Sequence, residues 1–208
     1  MKHSDLPFFP PSLRLLAWEV TRRCNLACLH CRAAAGKGPY PGELSTDEGL
    51  KLLDDLATLG QVVVILTGGE PLLREDIFEL AAHGTKLGHR MVMAVNGTLL
   101  TPAIAARLKD AGIQRLSISI DGAGAASHDA LRAVPGSYEG ALSGIAACRE
   151  AGLPFQINTT VTRANRAELP AIYEVTHAKK TWKFGPLISC SSLSQVRSRR
   201  KAAGTSGK

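Results

Sequence analysis

The sequence of 208 residues lacks the features that mark membrane and secreted proteins. No apolar run is long enough to span a bilayer. Charges and prolines interrupt residues 1–11, so we predict no signal peptide. The five cysteines are an odd number, which does not suit a framework of paired disulfides. We therefore expect a cytoplasmic protein with no membrane partner.

Acidic residues are missing from the end of the chain, and this absence accounts for the net charge of +7. Residues 179–208 contain eight basic side chains and no Asp or Glu. Without them the chain has 17 basic and 18 acidic residues, so the rest of the protein is close to neutral. Because nucleic-acid binding needs a basic surface on the folded domain, we predict no nucleic-acid partner.

The cysteine cluster lacks a fourth member. Its three members lie within eight residues: Cys24, Cys28 and Cys31. Three thiolates can hold three corners of a cubane iron–sulfur cluster, whereas a closed cluster or a structural zinc site needs a fourth protein ligand. His30 could complete a zinc site, so zinc stays an alternative, as do simple buried cysteines. The other two cysteines are predicted to be packing or incidental thiols: Cys148 and Cys190.

Apolar segments rich in β-branched residues alternate with helical patterns from residue 13 to about residue 178, which predicts an α/β fold with parallel strands. Five βα units are readable. The predicted strands are residues 13–20, 62–67, 90–96, 115–121 and 154–162. The predicted helices are residues 45–60, 75–87, 102–111, 138–151 and 168–177.

The fourth and fifth strands each have one aliphatic face and one polar face, over residues 116–121 and 155–161. In a barrel the helices cover the aliphatic face, so the polar side chains must point into the lumen. A closed eight-stranded barrel fills its interior with branched aliphatic side chains. We therefore predict an incomplete, wider (βα) barrel around a bound ligand.

The turn after the second strand reads Thr67-Gly68-Gly69-Glu70-Pro71. Two glycines allow close backbone approach, and Glu70 offers an anionic acceptor at the rim of the barrel. Alone, this would be an ordinary strand–helix turn. Together with the Cys-x3-Cys-x2-Cys spacing it resembles the radical S-adenosylmethionine (SAM) superfamily.

The resemblance implies a radical SAM enzyme with a partial barrel and two cofactors. A 4Fe-4S cluster on the three clustered cysteines is chelated at its open iron by the SAM amino and carboxylate groups. Gly68, Gly69 and Glu70 are the implied contacts of the SAM amino group. An electron from a donor such as flavodoxin or ferredoxin cleaves SAM, and the resulting 5′-deoxyadenosyl radical abstracts a substrate hydrogen. No catalytic acid or base is assigned.

Further residues match positions near SAM in this family. Ser119 and Asp121 are implied to bind the ribose hydroxyls, and His30 to stack beside the adenine. The remaining implied contacts of the nucleoside, the SAM site or the substrate are Asn96, Asn158 and Thr160.

Four strings, residues 18–24, 39–45, 132–137 and 155–162, resemble the haem-pathway branch of the family. That branch includes 12,18-didecarboxysirohaem deacetylase of the alternative haem route and the related haem d1 protein. The implied substrate is a sirohaem-derived tetrapyrrole. Two alternatives stay open, namely a peptide-modifying radical SAM enzyme and a non-catalytic metal-binding fragment.

The family also has a sixth strand and a cysteine-rich C-terminal extension with an auxiliary cluster, and neither is recognisable in this sequence. We therefore interpret the chain as truncated and expect impaired turnover. The predicted organisation is an N-terminal lead (1–12), a radical SAM core barrel (13–178) and a basic low-complexity tail (179–208) that is disordered or aberrant.

Overall fold

The structure is a computed structural model and describes residues 13–177 and 187–190. Its strands are β1 (Leu15–Thr21), β2 (Val63–Gly68), β3 (Arg90–Val95), β4 (Arg115–Ser119), β5 (Phe155–Val161) and β6 (Leu187–Cys190). Its helices are α1 (Thr46–Thr58), α2 (Ile77–Lys86), α3 (Pro102–Asp110), α4 (Ala125–Arg132), α5 (Ser137–Ala151) and α6 (Leu169–His177).

The strands form one parallel sheet in the order β1-β2-β3-β4-β5-β6. Each strand therefore pairs with the next strand along the chain, and the intervening helices carry the chain back to the start of the sheet. In this order β1 and β6 are the two edges of the sheet, so the described part of the barrel is open between them. The predicted partial α/β barrel is confirmed.

Local sequence signals define the first helix. The Ser45 hydroxyl accepts from Glu48 N, and the Glu48 carboxylate accepts from Ser45 N, so both halves of a capping box are present. Leu53 and Leu56 on this helix are buried, as their helical spacing predicts. The helix ends at Thr58, followed by Leu59 as its C-cap.

The main hydrophobic core lies between the sheet and its helices. The strands contribute alternate residues, such as Leu66, Met93 and Ile118, which are fully buried. The helices supply Leu53 from α1 and Leu108 from α3, among others. In β4 and β5 the opposite face carries polar residues, Ser117 and Ser119 on β4 and Gln156, Asn158 and Thr160 on β5, which agrees with the alternation predicted for these two strands.

Two elements were not predicted from the sequence. The expectation that no sixth strand is present is wrong, because β6 pairs in parallel with β5 through Asn158 to Val161. Its four residues directly follow Pro186 and precede a segment rich in Ser and basic residues, so the short apolar run is hard to recognise in the sequence. The rest of the predicted tail, and the predicted lead, lie outside the described residues.

Helix α4 was missed because it has only eight residues and no side-chain cap at Gly124. The sequence between residues 121 and 136 contains three glycines and a proline, so it favours a loop by composition. In the described part of the chain, no helix has the length and apolar character needed to cross a membrane.

Burial of Cys148 in α5 generates a prediction about thiol reactivity. Its side chain is fully buried, and burial raises the pKa of the thiol to about 12. At pH 8 only about one thiol in ten thousand is then the reactive thiolate. We expect iodoacetamide to label Cys148 only after denaturant is added, as measured by peptide mass spectrometry. The partly exposed Cys24 and Cys31 are the internal controls, and labelling of Cys148 at their rate in the native protein would contradict its burial.

Candidate functional site

A cavity of about 360 Å³ lies at the carboxyl ends of the parallel strands. This is the edge of the sheet at which open α/β folds bind ligands, and the volume is within the range of small-molecule sites. Ten of the twelve predicted site residues line the cavity: Cys24, Cys28, His30, Cys31, Gly68, Gly69, Asn96, Ser119, Asn158 and Thr160. The other two, Glu70 and Asp121, are fully buried and do not line it.

Backbone hydrogen bonds from several elements hold the cysteine loop, residues 22–36. Cys24 N donates to Gly36 O at 2.7 Å, which brings the two ends of the loop together. Ala27 N and Leu29 N donate to the carbonyls of Arg132 and Leu131, at 3.2 and 2.9 Å. The loop therefore satisfies carbonyls at the C-terminus of α4, which would otherwise lack helical partners.

Each cysteine sulfur accepts one N–H hydrogen bond. Leu26 N donates to Cys24 Sγ at 3.4 Å, and Ala35 N donates to Cys31 Sγ at 3.3 Å. Cys28 Sγ instead accepts from the guanidinium Nη1 of Arg132 at 3.6 Å. Such bonds favour the thiolate form that binds metal, and hydrogen bonds to sulfur tune iron–sulfur clusters.

Burial acts in the opposite direction on two of these thiols. It is the largest cause of the raised pKa of Cys24, which the Leu26 amide partly offsets. It also raises the pKa of Cys28, where the charge of Arg132 and its hydrogen bond pull the pKa back down. Because bound iron replaces the thiol proton, these two thiols must release protons when a cluster is loaded.

The turn after β3 fixes the start of the loop through side-chain amides. Asn96 Nδ2 donates to Asn25 Oδ1 at 2.8 Å, and Asn25 Nδ2 donates to Thr98 Oγ1 at 2.8 Å. Asn96 Oδ1 in turn accepts from Thr98 N at 2.8 Å. The three side chains thus bind one another and leave Asn96 only partly available to a ligand.

Gly68 and Gly69 allow β2 to approach the cysteine loop at van der Waals distance. Gly68 has a φ of +133°, and a Cβ on it would lie 2.1 Å from Thr21 O. A Cβ on Gly69 would lie 2.2 Å from Arg23 O. At this contact Gly69 N donates to Thr21 O at 2.7 Å, and Glu70 N donates to Arg23 O at 2.8 Å. Both glycines are therefore required by the fold of the site, and their predicted contact with SAM stays a prediction.

Glu70 uses its carboxylate to join two turns. Its Oε2 accepts from Asn96 N at 2.8 Å and its Oε1 accepts from Leu72 N at 3.2 Å. Burial raises its pKa to about 7, and these two hydrogen bonds oppose the rise. In this geometry the side chain is buried, does not line the cavity, and links the turn after β2 to the turn after β3. Its predicted contact with the SAM amino group stays a prediction.

Asp121 is the centre of a buried charge network. Its Oδ1 accepts from Thr160 N at 2.8 Å, and its Oδ2 lies 2.7 Å from Arg132 Nη2 and 3.4 Å from His30 Nε2. Burial lowers the pKa of His30, and the positive charge of Arg132 lowers it further. The carboxylate of Asp121 thus has protein partners on both oxygens, and its predicted ribose contact stays untested.

Sequence reasoning missed Arg132 and Asn25 as members of the site. Arg132 is 104 residues from Cys28, so no local spacing could connect them. The one available signal was its place in a string shared with the haem-pathway branch, residues 132–137. Asn25 directly follows Cys24, and its position within the cysteine motif could have identified it.

The three clustered thiols match the number of protein ligands in an open cubane cluster. Among the described residues no three His, Cys, Asp or Glu side chains converge on a point where one ion could bind. A tetrahedral zinc site needs such convergence, whereas each thiolate of a cubane cluster binds a different iron. Three thiols, each with an N–H donor to its sulfur and beside a ligand-sized cavity, fit the three protein ligands of an open cubane cluster, and the zinc alternative stays untested.

For Glu70, a direct contact with SAM can be distinguished experimentally from an indirect role in stabilising the fold. We expect Glu70→Gln to lower the stability of the protein by about 1–3 kcal/mol, because the amide nitrogen of Gln cannot accept from a backbone N–H. Urea unfolding measures this change, and a titration with SAM on the same protein measures affinity. Glu168→Gln is the matched control, since Glu168 accepts from Ala123 N at 3.0 Å outside the cavity. A loss of SAM affinity with unchanged stability would show instead that Glu70 contacts SAM directly.

Comparison with known proteins agrees with these motifs. Residues 18–175 match the radical SAM superfamily. AdoMet-dependent heme synthase of Nitratidesulfovibrio vulgaris is 54% identical over 165 residues, which cover 79% of this chain and 45% of that protein. Fe-coproporphyrin III synthase of Methanosarcina barkeri is 38% identical over 175 residues, which cover 84% of this chain and 44% of that protein. The chain thus spans less than half the length of these relatives, and the resemblance to the haem branch is confirmed.

A solved structure shows the same fold. The structure titled native anSMEcpe with bound AdoMet matches with a TM-score of 0.72 and 21% identity, covering 86% of this chain and 52% of that one. The cysteine spacing, the cavity and the sequence match lead to one conclusion. The chain belongs to the radical SAM superfamily, whose enzymes use a 4Fe-4S cluster and SAM.

Proposed function

We propose that this chain is the SAM-binding core of an enzyme that modifies a sirohaem-derived tetrapyrrole, in alternative haem or haem d1 biosynthesis. The observation that carries the proposal is the set of three cysteine sulfurs, each held by an N–H donor, at the rim of a ligand-sized cavity. Its similarity to AdoMet-dependent heme synthase and Fe-coproporphyrin III synthase supports the choice of substrate.

In this proposal Cys24, Cys28 and Cys31 hold the cluster, and the polar ends of the strands hold SAM. When bound, the two cofactors supply a 5′-deoxyadenosyl radical that abstracts a substrate hydrogen. The residues of the chain bind and orient the cofactors and the substrate. Ser119, Asn158 and Thr160 offer hydroxyl and amide groups to the nucleoside. The aliphatic face of the sheet is covered by helices, which excludes water from that side.

Arg32 is the residue we assign to substrate carboxylates. It lines the cavity, yet its side chain is 90% exposed, so it lies at the cavity mouth. Its partner Glu19, at 2.9 Å, is itself 41% exposed, and such a surface ion pair exchanges readily with another carboxylate. Tetrapyrroles derived from sirohaem carry several carboxylates, which an arginine binds through two parallel hydrogen bonds.

A flavodoxin or ferredoxin is the proposed electron donor.

The proposal predicts a defined metal content. Anaerobic reconstitution with iron and sulfide should load about four irons per chain, and SAM should change the electron paramagnetic resonance spectrum of the reduced protein. Alanine in place of Cys24, Cys28 or Cys31 should abolish both, because each thiolate holds one iron.

Cys148→Ala is the control for these three variants, since its thiol lies in the core and outside the cavity. It should keep full iron content. Tight binding of one zinc per chain, without iron uptake, would contradict the proposal.

The substrate class has a test of its own. Didecarboxysirohaem should raise the yield of 5′-deoxyadenosine above the yield with SAM alone, and a cysteine-containing peptide should leave it unchanged. Arg32→Gln should weaken tetrapyrrole binding, about tenfold for one lost charged hydrogen bond, without changing SAM affinity. If the peptide raises the yield of 5′-deoxyadenosine and the tetrapyrrole does not, the proposed substrate is wrong and the peptide-modifying alternative is supported.

A further inference from the structure

Arg132 places a buried positive charge against one cluster ligand. Its side chain is 9% exposed, and the guanidinium bridges Asp121 Oδ2 at 2.7 Å and Cys28 Sγ at 3.6 Å. An arginine guanidinium is not deprotonated in proteins, and here it is paired with the carboxylate of Asp121. The guanidinium is therefore a permanent cation at the cluster site.

The three sulfurs are electrostatically unequal. Cys24 and Cys31 accept from neutral backbone amides, whereas Cys28 accepts from the charged Arg132. The negative partner of that charge is Asp121, whose side chain is fully buried. The guanidinium of Arg132 thus lies between the sulfur of Cys28 and the carboxylate of Asp121, so the cation is nearer to the sulfur than the anion is.

We propose that Arg132 is a positioning residue that raises the reduction potential of the cluster through Cys28, and that Asp121 limits this effect. The inference rests on the proposed function, because it requires the cluster. The reaction is a one-electron reduction of the 2+ cluster to the 1+ cluster by an external donor, and no bond forms or breaks in the protein.

The sign of each charge follows from electrostatics. Reduction adds one negative charge to the cluster and its thiolates. A cation beside Cys28 stabilises the reduced form more than the oxidised form, and an anion does the reverse. Loss of the Arg132 charge should therefore lower the potential, and loss of the Asp121 charge should raise it. Misfolding alone would not move the two variants in opposite directions.

The test is a redox titration of the anaerobically reconstituted full chain without SAM, in which the signal of the reduced cluster reports the midpoint potential. Arg132→Gln should shift the reduction equilibrium at least tenfold towards the oxidised cluster, which is about 59 mV for one electron. Asp121→Asn should shift it towards the reduced cluster. The double variant should lie between them.

Arg74→Gln is the matched control. The Arg74 side chain is also 9% exposed and forms an ion pair with Asp76 at 2.6 Å, but it donates to Val20 O rather than to a sulfur. This variant loses a buried ion pair of the same kind, and its midpoint should stay at the wild-type value.

Unchanged midpoints in both site variants, shifts of the same sign, or an equal shift in Arg74→Gln would overturn the inference. If Arg132→Gln takes up no iron, the inference is tested by comparing Asp121→Asn with Arg74→Gln. Only Asp121→Asn should raise the midpoint potential of the cluster. A wild-type chain that takes up no iron refutes the proposed function and the inference together. A normal cluster with unmoved midpoints refutes the inference alone.

Discussion

The cysteine loop has almost no regular secondary structure, so hydrogen bonds from the surrounding elements hold it in place. The turn after β2 donates to Thr21 O and Arg23 O, the turn after β3 binds Asn25, and the end of α4 accepts from Ala27 N and Leu29 N. Buried backbone groups without partners destabilise a fold, so these bonds favour one shape of the loop. The thiols are positioned by the whole sheet, and a local motif of eight residues would not hold them alone.

The parallel sheet is what brings these supports together. Consecutive strands pair in chain order, so the turns at their carboxyl ends all lie along one edge. Alternation along each strand then separates two functions, since Ile118 enters the core while Ser117 and Ser119 face the cavity. The same strand stabilises the fold and lines the site.

Sequence patterns predicted the parts of this site that depend on neighbours along the chain. Cysteine spacing, the Gly68-Gly69 turn and the strand alternation are local, and ten predicted residues do line one cavity. Long-range contacts could not be predicted this way. The motif match predicted SAM contacts for Glu70 and Asp121, and it could not show that each carboxylate also accepts from a distant backbone amide, Asn96 N and Thr160 N respectively. The strand β6 was missed because it has only four residues. A run that short is too brief to show the alternation of apolar and polar residues by which strands are predicted.

The contact between Arg132 and Cys28 also orders events during synthesis of the chain. The thiols leave the ribosome first, and the guanidinium that contacts one of them follows 104 residues later. At about 5–20 residues per second, this interval is about 5–20 s. During that time Cys28 lacks its charged partner, and the carbonyls that hold the loop at Ala27 and Leu29 do not yet exist. Until then the three thiols lack contacts that hold them in the folded site, and exposed thiols are open to oxidation.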